Sequence, residues 1–530
     1  MQHSRLNRIV PILFLILSTL LCYLSIDEQP TSLNADYLSP LSLSLEVSEG
    51  LENLRYWNYS GYTAWFPDVA SVILLARLLG RRNILLANLI WGLIQIGCFQ
   101  YLSTRLIGLI TNSRGKEARV LILASLSMLL FFALSDRRLL NLMIYPIIHI
   151  PAFLLSLFSL IVYFELAGER QLLKDRKNLI ALTALLIVLV TLSDPFFLLF
   201  GGFPLAISHF AVRFFKIRIF ENRPVRRFEN RQLDLFSGIV LASSVLGYGL
   251  YKLTPVSNSV YFERSLEGSF QSAQNLVGQL IASPPTLLML VVIVCLLIFI
   301  LIGSRTGNWL SESYKETLSS KLDVELFSFY TLFVSMSTAL CSVAVIVYGM
   351  FLDTAACFRY TQLLIFCPPV FIGITLSLAT EDLSLSESGL KNLKHSTYFI
   401  LAAILAVDLI LANRARQEYV SHNDIHNQNL ACIQSLGVKY YAAEYWWAKP
   451  IHVLSEGKIK PIQLTAEADY FPWVNSERWY KDLADLDESL GVLVEAQGKQ
   501  LINREQVINK TGASIPKQCG DLQYLVSDGS

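Results

Sequence analysis

The chain has 530 residues, 53% of them hydrophobic and 16% charged, and its mean hydropathy is +0.46, which exceeds what a soluble domain tolerates. The 43 Lys and Arg balance the 42 Asp and Glu to a formal charge of +1, and neither a nucleic-acid motif nor a basic face is visible. Charge is therefore informative by its location, because basic residues near membrane ends set orientation.

The first apolar run, Ile9 to Ile26, follows Arg5 and Arg8 and lacks a small-residue cleavage site after Leu21-Cys22-Tyr23. It reads as a retained helix with a cytoplasmic N-terminus; an uncleaved signal anchor has the same pattern. A long outer connector follows, about residues 27–82. Within it, Phe66 to Gly80 is apolar but at about 15 residues too short to span. Its flanking Arg77, Arg81 and Arg82 suit a helix on the outer membrane surface, with Asp68 after Pro67 at its start.

Further runs, Asn83 to Ile110, Val120 to Leu134, Pro146 to Leu166, Leu179 to Leu192, Phe196 to Phe214 and Leu235 to Leu253, are followed by Thr286 to Gly303, Leu326 to Phe351, Leu363 to Leu378 and Thr397 to Asn413. Each is near the ~20 residues a bilayer requires, and together they predict about eleven transmembrane helices. Connectors assigned to the cytoplasm carry clusters such as Arg170, Lys174, Arg176 and Lys177, whereas the short opposite ones offer only Arg137, Arg138, Lys252, Arg264 and Arg359. This asymmetry agrees with an outer C-terminus. Arg105, Glu165 and His209 lie near cytoplasmic ends, leaving Asp408 as the main candidate for an intramembrane charge.

After Asn413 the chain turns polar and mixed, so residues 1–413 are expected to form the membrane domain and 414–530 a small extracytoplasmic α/β domain. Lys449 to Leu454 and Lys458 to Leu464 alternate around Ser455-Glu456-Gly457 like a hairpin. Gly491 to Glu495 and Gln523 to Val526 read as strands, and Ser476 to Leu486 as a helix. Six of the eight cysteines lie in or beside apolar runs; Cys432 and Cys519 are the two in the tail, where an oxidising compartment permits a disulfide. No cysteine pair has zinc-site spacing.

The layout, with one helix, a long outer loop holding a surface helix and an acid, many more helices and an outer tail, resembles the GT-C superfamily of multi-spanning glycosyltransferases. The matching stretch is Tyr56-Trp57-Asn58-Tyr59-Ser60-Gly61-Tyr62-Thr63-Ala64-Trp65-Phe66-Pro67-Asp68. The resemblance implies a polyprenyl-phosphate-linked sugar donor, a glycan or lipid acceptor, contact with membrane lipids, and Asp68 as the base. A divalent cation is the one cofactor it leaves open. Tyr62 and Trp65 belong to an aromatic run that either anchors the loop at the interface or stacks on sugar rings.

Asp194 and Asp136 are further acidic candidates for catalysis, and Arg359, Tyr360 and His149 for substrate binding; each candidate also has a plainer role. Asp68 caps its helix equally well, and Asp194 before Pro195 is a common helix start. Asp136, beside Arg137 and Arg138, suits a solvated loop, and His149 suits a packed polar position. Arg359, next to Tyr360, either grips donor phosphate through paired hydrogen bonds or holds a lipid headgroup. Two further function classes stay open: a transporter or flippase of a lipid-linked amphiphile, and a non-catalytic scaffold. The scarcity of midplane charge argues against the first, and the acidic, aromatic first loop against the second.

Overall fold

The computed structural model describes residues 12–13, 15–23, 33, 35–58, 65–80, 83–113, 117–134, 143, 149–168, 176–214, 231–253, 266–282, 287, 290–295, 322–347, 364, 366–382, 424–438, 440–472, 474–481 and 490–527. These residues form a helical bundle carrying a small C-terminal sheet. Among the described residues four helices are long and apolar enough to cross a membrane: α3 (Ile84–Ile110), α5 (Ile150–Gly168), α8 (Arg231–Leu253) and α10 (Val324–Val347). Shorter apolar helices stand among them: α4 (Glu117–Leu134), α6 (Lys177–Ser193), α7 (Phe203–Phe214) and α11 (Pro368–Asp382). All eight fall on or within a few residues of the runs read from hydropathy. The last expected span, with Asp408, and the boundary at residue 413 lie outside the described residues.

The core sits around α5, which is apolar on every side, as a helix surrounded by other helices must be. Its central stretch is 78% buried, against 33% for α8 and 39% for α10. Leu235, Val245, Leu246 and Leu253 of α8 remain exposed, an apolar surface that water would penalise and lipid tails would not. Tyr163 of α5 stacks on Phe329 of α10 with ring centres 4.6 Å apart.

The first connector holds more helix than its sequence suggests. Beside the expected surface helix, seen as α2 (Ala70–Leu79), it contains α1 (Ala35–Glu49). The Leu-Ser alternation of α1 has no single apolar face, because the helix is wedged between two clusters. Leu41 and Leu45 pack with Val72, Ala76 and Ala87, while Leu43 and Val47 pack with Trp57 and Trp479. A further unexpected helix, α9 (Leu266–Ala282), lies against α10.

The C-terminal sheet has the order β2-β1-β3-β6-β5, with β4 (Lys499–Gln500) beside β3. β1 (Tyr440–Glu444) pairs in parallel with β2 (Ile462–Leu464) and β3 (Leu490–Ala496); β6 (Leu522–Val526) pairs antiparallel with β3 and β5 (Ile515–Cys519). β3 is buried almost throughout, as a central strand covered on both faces must be. The Cys432–Cys519 disulfide ties the helical stretch 424–436 to the end of β5. The expected hairpin is a correction: Lys449 to Leu454 belongs to α12 (Tyr445–Leu454), and β2 lies parallel to β1. Packing of α12 along α1 overrides the β-branched, alternating pattern. The expected Ser476 helix is seen as α13 (Glu477–Lys481), its remainder lying outside the described residues, and α14 (Arg504–Thr511) completes the unit.

α8 packs closely along α6 because Gly247 has no side chain: a Cβ there would stand 2.7 Å from the Val188 carbonyl oxygen and from Thr191 Cβ. Backbone cannot rotate aside, so Gly247→Ala is expected to destabilise the protein by about 1–3 kcal/mol, measured by thermal unfolding of the detergent-solubilised chain. Gly238→Ala on the same helix, where the new Cβ meets open space, should leave the melting temperature unchanged.

Candidate functional site

Asp68 lies in the turn Trp65–Val69 that leads into α2. A bond from the Phe66 N–H to Ser193 Oγ at 3.0 Å ties the turn to the end of α6. Ser193 ends α6, so the bond brings Asp68 near the next residue, Asp194. The Asp68 side chain is 3% exposed. Its Oδ1 accepts from Trp91 Nε1 at 2.8 Å and from Gln95 Nε2 at 3.1 Å. Trp91 and Gln95 are four residues apart on α3 and so share one face.

Burial pushes the Asp68 carboxyl well above the usual carboxylate range; the Trp91 hydrogen bond opposes this, and the charge of Asp194 adds to it. The two acids are therefore close enough to disfavour ionising together.

Asp194 divides its oxygens between two tasks. Oδ1 accepts the Phe196 N–H at 3.1 Å, the helix-start role that Asp-Pro suggested. Oδ2 lies 2.9 Å from His149 Nδ1. The contact fixes the orientation of the imidazole, and the hydrogen bond it makes with the carboxyl sets the tautomer of the ring. His149 is 1% exposed and packs 4.4 Å from the Phe196 ring. Its φ of 57° places a non-glycine residue in the left-handed region, at a cost of about 1–2 kcal/mol, and its carbonyl oxygen then accepts the Phe153 N–H as α5 begins. Held strain of this kind concentrates at sites where position matters more than stability.

Three of the residues singled out in the sequence, Asp68, Asp194 and His149, thus converge at one end of the bundle. Trp65 stands nearby, half-buried and packed against the cluster of Trp57, Val69 and Trp479. Asp136, Tyr62, Arg359 and Tyr360 lie outside the described residues. Trp91, Gln95 and Ser193 were missed, although a glutamine four residues after a tryptophan inside an apolar run is a usable sign, since buried polar groups in spans rarely lack a task. Among the described residues no three His, Cys, Asp or Glu side chains are grouped to hold a metal ion.

The other charges gather near the far end of the same helices. Arg105 pairs with Glu165 at 2.5 Å, and Arg176 reaches the same carboxylate at 3.4 Å. His209 bridges Tyr163 and Asp234 at 2.7 and 2.8 Å, and Arg213 pairs with Asp234. Glu165 lies sixteen residues after His149, roughly 24 Å along the helix at 1.5 Å per residue.

A buried carboxyl whose hold on its proton is tightened, beside an acid that orients an imidazole, is a set of groups suited to proton transfer. Asp68 binds its proton more tightly in the folded chain. That contribution to stability is full below the unfolded value of 3.8 and is lost as pH rises through the raised one. Asp68→Asn keeps an oxygen for Trp91 and Gln95, so thermal stability of the variant is expected to fall less than that of the wild type between about pH 4 and pH 8. Equal slopes in the two melting profiles would contradict the burial effect. Comparison with family models, with curated proteins and with solved structures gave no match for the chain.

Proposed function

We propose that the protein is a glycosyltransferase of GT-C type in a bacterial inner membrane, moving a sugar from a polyprenyl-phosphate carrier to an extracytoplasmic glycan or lipid acceptor. The observation that carries this is the convergence of Asp68 with the Asp194–His149 pair at the mouth of the first connector. With about eleven spans and a cytoplasmic N-terminus, as loop charge favours, this mouth faces outward and the C-terminal unit lies in the periplasm or outside the cell.

A lipid-linked sugar phosphate holds its anomeric carbon near the membrane surface, which is the depth of a carboxylate between a surface helix and the end of a span. Asp68, once ionised, takes the proton of the acceptor hydroxyl. The acceptor oxygen then bonds to the anomeric carbon while the bond from that carbon to the phosphate oxygen breaks, and polyprenyl phosphate leaves with the electron pair. Burial serves this step: a desolvated carboxylate is a stronger base than an exposed one. The Asp194–His149 pair supplies a fixed imidazole beside the reacting groups, and Arg359 is the cation assigned to the departing phosphate.

In cells making wild type, Asp68→Asn or no copy, mass spectrometry of surface glycans and lipid-linked intermediates is expected to find the same sugar missing from the variant and the null. In vitro transfer should fall by at least ~100-fold in the folded variant. Normal turnover by well-folded Asp68→Asn would refute the role given to that residue. Complete glycans with a lipid-linked precursor trapped inside the cell would replace the transferase with a flippase.

A further inference from the structure

The C-terminal unit meets the rest of the chain across a seam that is not simply apolar. α12 lies along α1, and between them Ser42, Glu46, Lys449 and His452 are each 2% exposed or less. Lys449 Nζ stands 4.6 Å from the ring centre of Trp57 and 5.5 Å from that of Trp479, with Ser42 Oγ 3.5 Å away. His452 Nδ1 is 2.6 Å from the same hydroxyl, while its other nitrogen is 3.8 Å from Glu46 Oε1, too far for a hydrogen bond.

Further charged groups stand around the seam. Lys460 lies 3.8 Å from Glu46 and 2.7 Å from Glu49. Arg478 of α13 donates to Asn53 at 2.9 Å, and Glu444 at the end of β1 is drawn by Lys499.

The seam closes imperfectly. His452 Nε2, Ser476 Oγ and both polar atoms of the Asn475 side chain are buried without a hydrogen-bond partner, whereas Glu46 is hydrogen-bonded to Trp479 and Asn58 to Tyr470. Asn58 and Asn475 flank the bridge between Trp57 and Ser476, where the connector and the C-terminal unit share backbone bonds. Closing the seam takes the Lys449 amine out of water with a hydroxyl as its hydrogen-bonding partner, which disfavours its charged form.

We propose that the seam is a proton-controlled latch: the C-terminal unit is held against α1 while Lys449 is neutral, and it is released when Lys449 takes up a proton. The latch depends on these contacts alone and stands apart from sugar transfer. Burial lowers Lys449 from 10.5 to about 7, with Glu46 opposing. Burial, with the charges of Lys449 and Lys460, lowers His452 well below 6.5. Burial raises Glu46 above 4.5, and Lys460 offsets this in part.

The directions follow by linkage. Lys449 binds its proton less tightly when docked, so docking strengthens as pH rises from about 7 toward 10.5, and its share of the weakening is complete below about 7. His452 weakens docking further as pH falls below 6.5. Glu46 acts oppositely, strengthening docking as pH falls toward 4.5, which limits release in acid.

The test is hydrogen exchange of α1 and α12 in the full chain in lipid nanodiscs at about pH 7, 8 and 9, with exposure times scaled to the intrinsic rate at each pH. Protection in the wild type should rise roughly five- to tenfold per pH unit. It should be flat in Lys449→Met and keep the wild-type slope in Lys458→Met, a change at an exposed position nearby. Protection independent of pH in the wild type, or an undiminished slope in Lys449→Met, overturns the latch. If Lys449→Met does not fold, the wild-type and Lys458→Met profiles still decide it.

Discussion

Removing ionisable groups from water is the cost around which this protein is arranged. α5, apolar on all sides, can lie at the centre because its polar groups are placed at its two ends, His149 at one and Glu165 at the other. Between them, the Ser156 hydroxyl bonds to the preceding turn of its own helix, and Tyr163 reaches His209 on α7. Charge is therefore compressed into a few sites, each built from several helices, and each of those sites fixes how its helices meet. The bond from Phe66 to Ser193 and the pair His149–Asp194 serve as joints between α2, α5 and α6.

Much of the bundle was legible in the sequence because a bilayer imposes one simple demand, a sustained apolar run of a given length, which α3, α5, α8 and α10 meet in full, while α4, α6 and α7 are apolar but shorter. The elements that failed to declare themselves obey a different rule. α1 alternates Leu and Ser as a strand would, yet it is a helix, because apolar clusters press on it from two sides and no single face needs to be apolar. α12 was hidden for a related reason. Lys449 and His452, three residues apart, face α1 together, and only the partner surface reveals that these polar residues belong to the buried side.

The candidate site shows the same division. Asp68, Asp194 and His149 stood out as single polar residues at the margins of apolar runs, which a linear reading detects. Their association did not, since Asp68 and Asp194 lie 126 positions apart and nothing local to either predicts the Ser193 hydroxyl that draws them together. Gln95 and Trp91 were concealed by their setting inside an apparently uniform span, although their spacing of one helical turn aims both at a single oxygen of Asp68.

Asp194 has a consequence for how this end of the molecule tolerates change. One oxygen restrains the chain entering the helix and the other dictates the tautomer of His149, so geometry and protonation are written into a single side chain. A longer acid at this position would preserve the charge but misplace the restraint on the Phe196 amide. An amide would preserve that restraint and turn an NH2 donor toward the imidazole, which confines the ring proton to the opposite nitrogen. Neither conservative replacement keeps both properties, and a dual constraint of this kind leaves aspartate as the one common side chain that answers it.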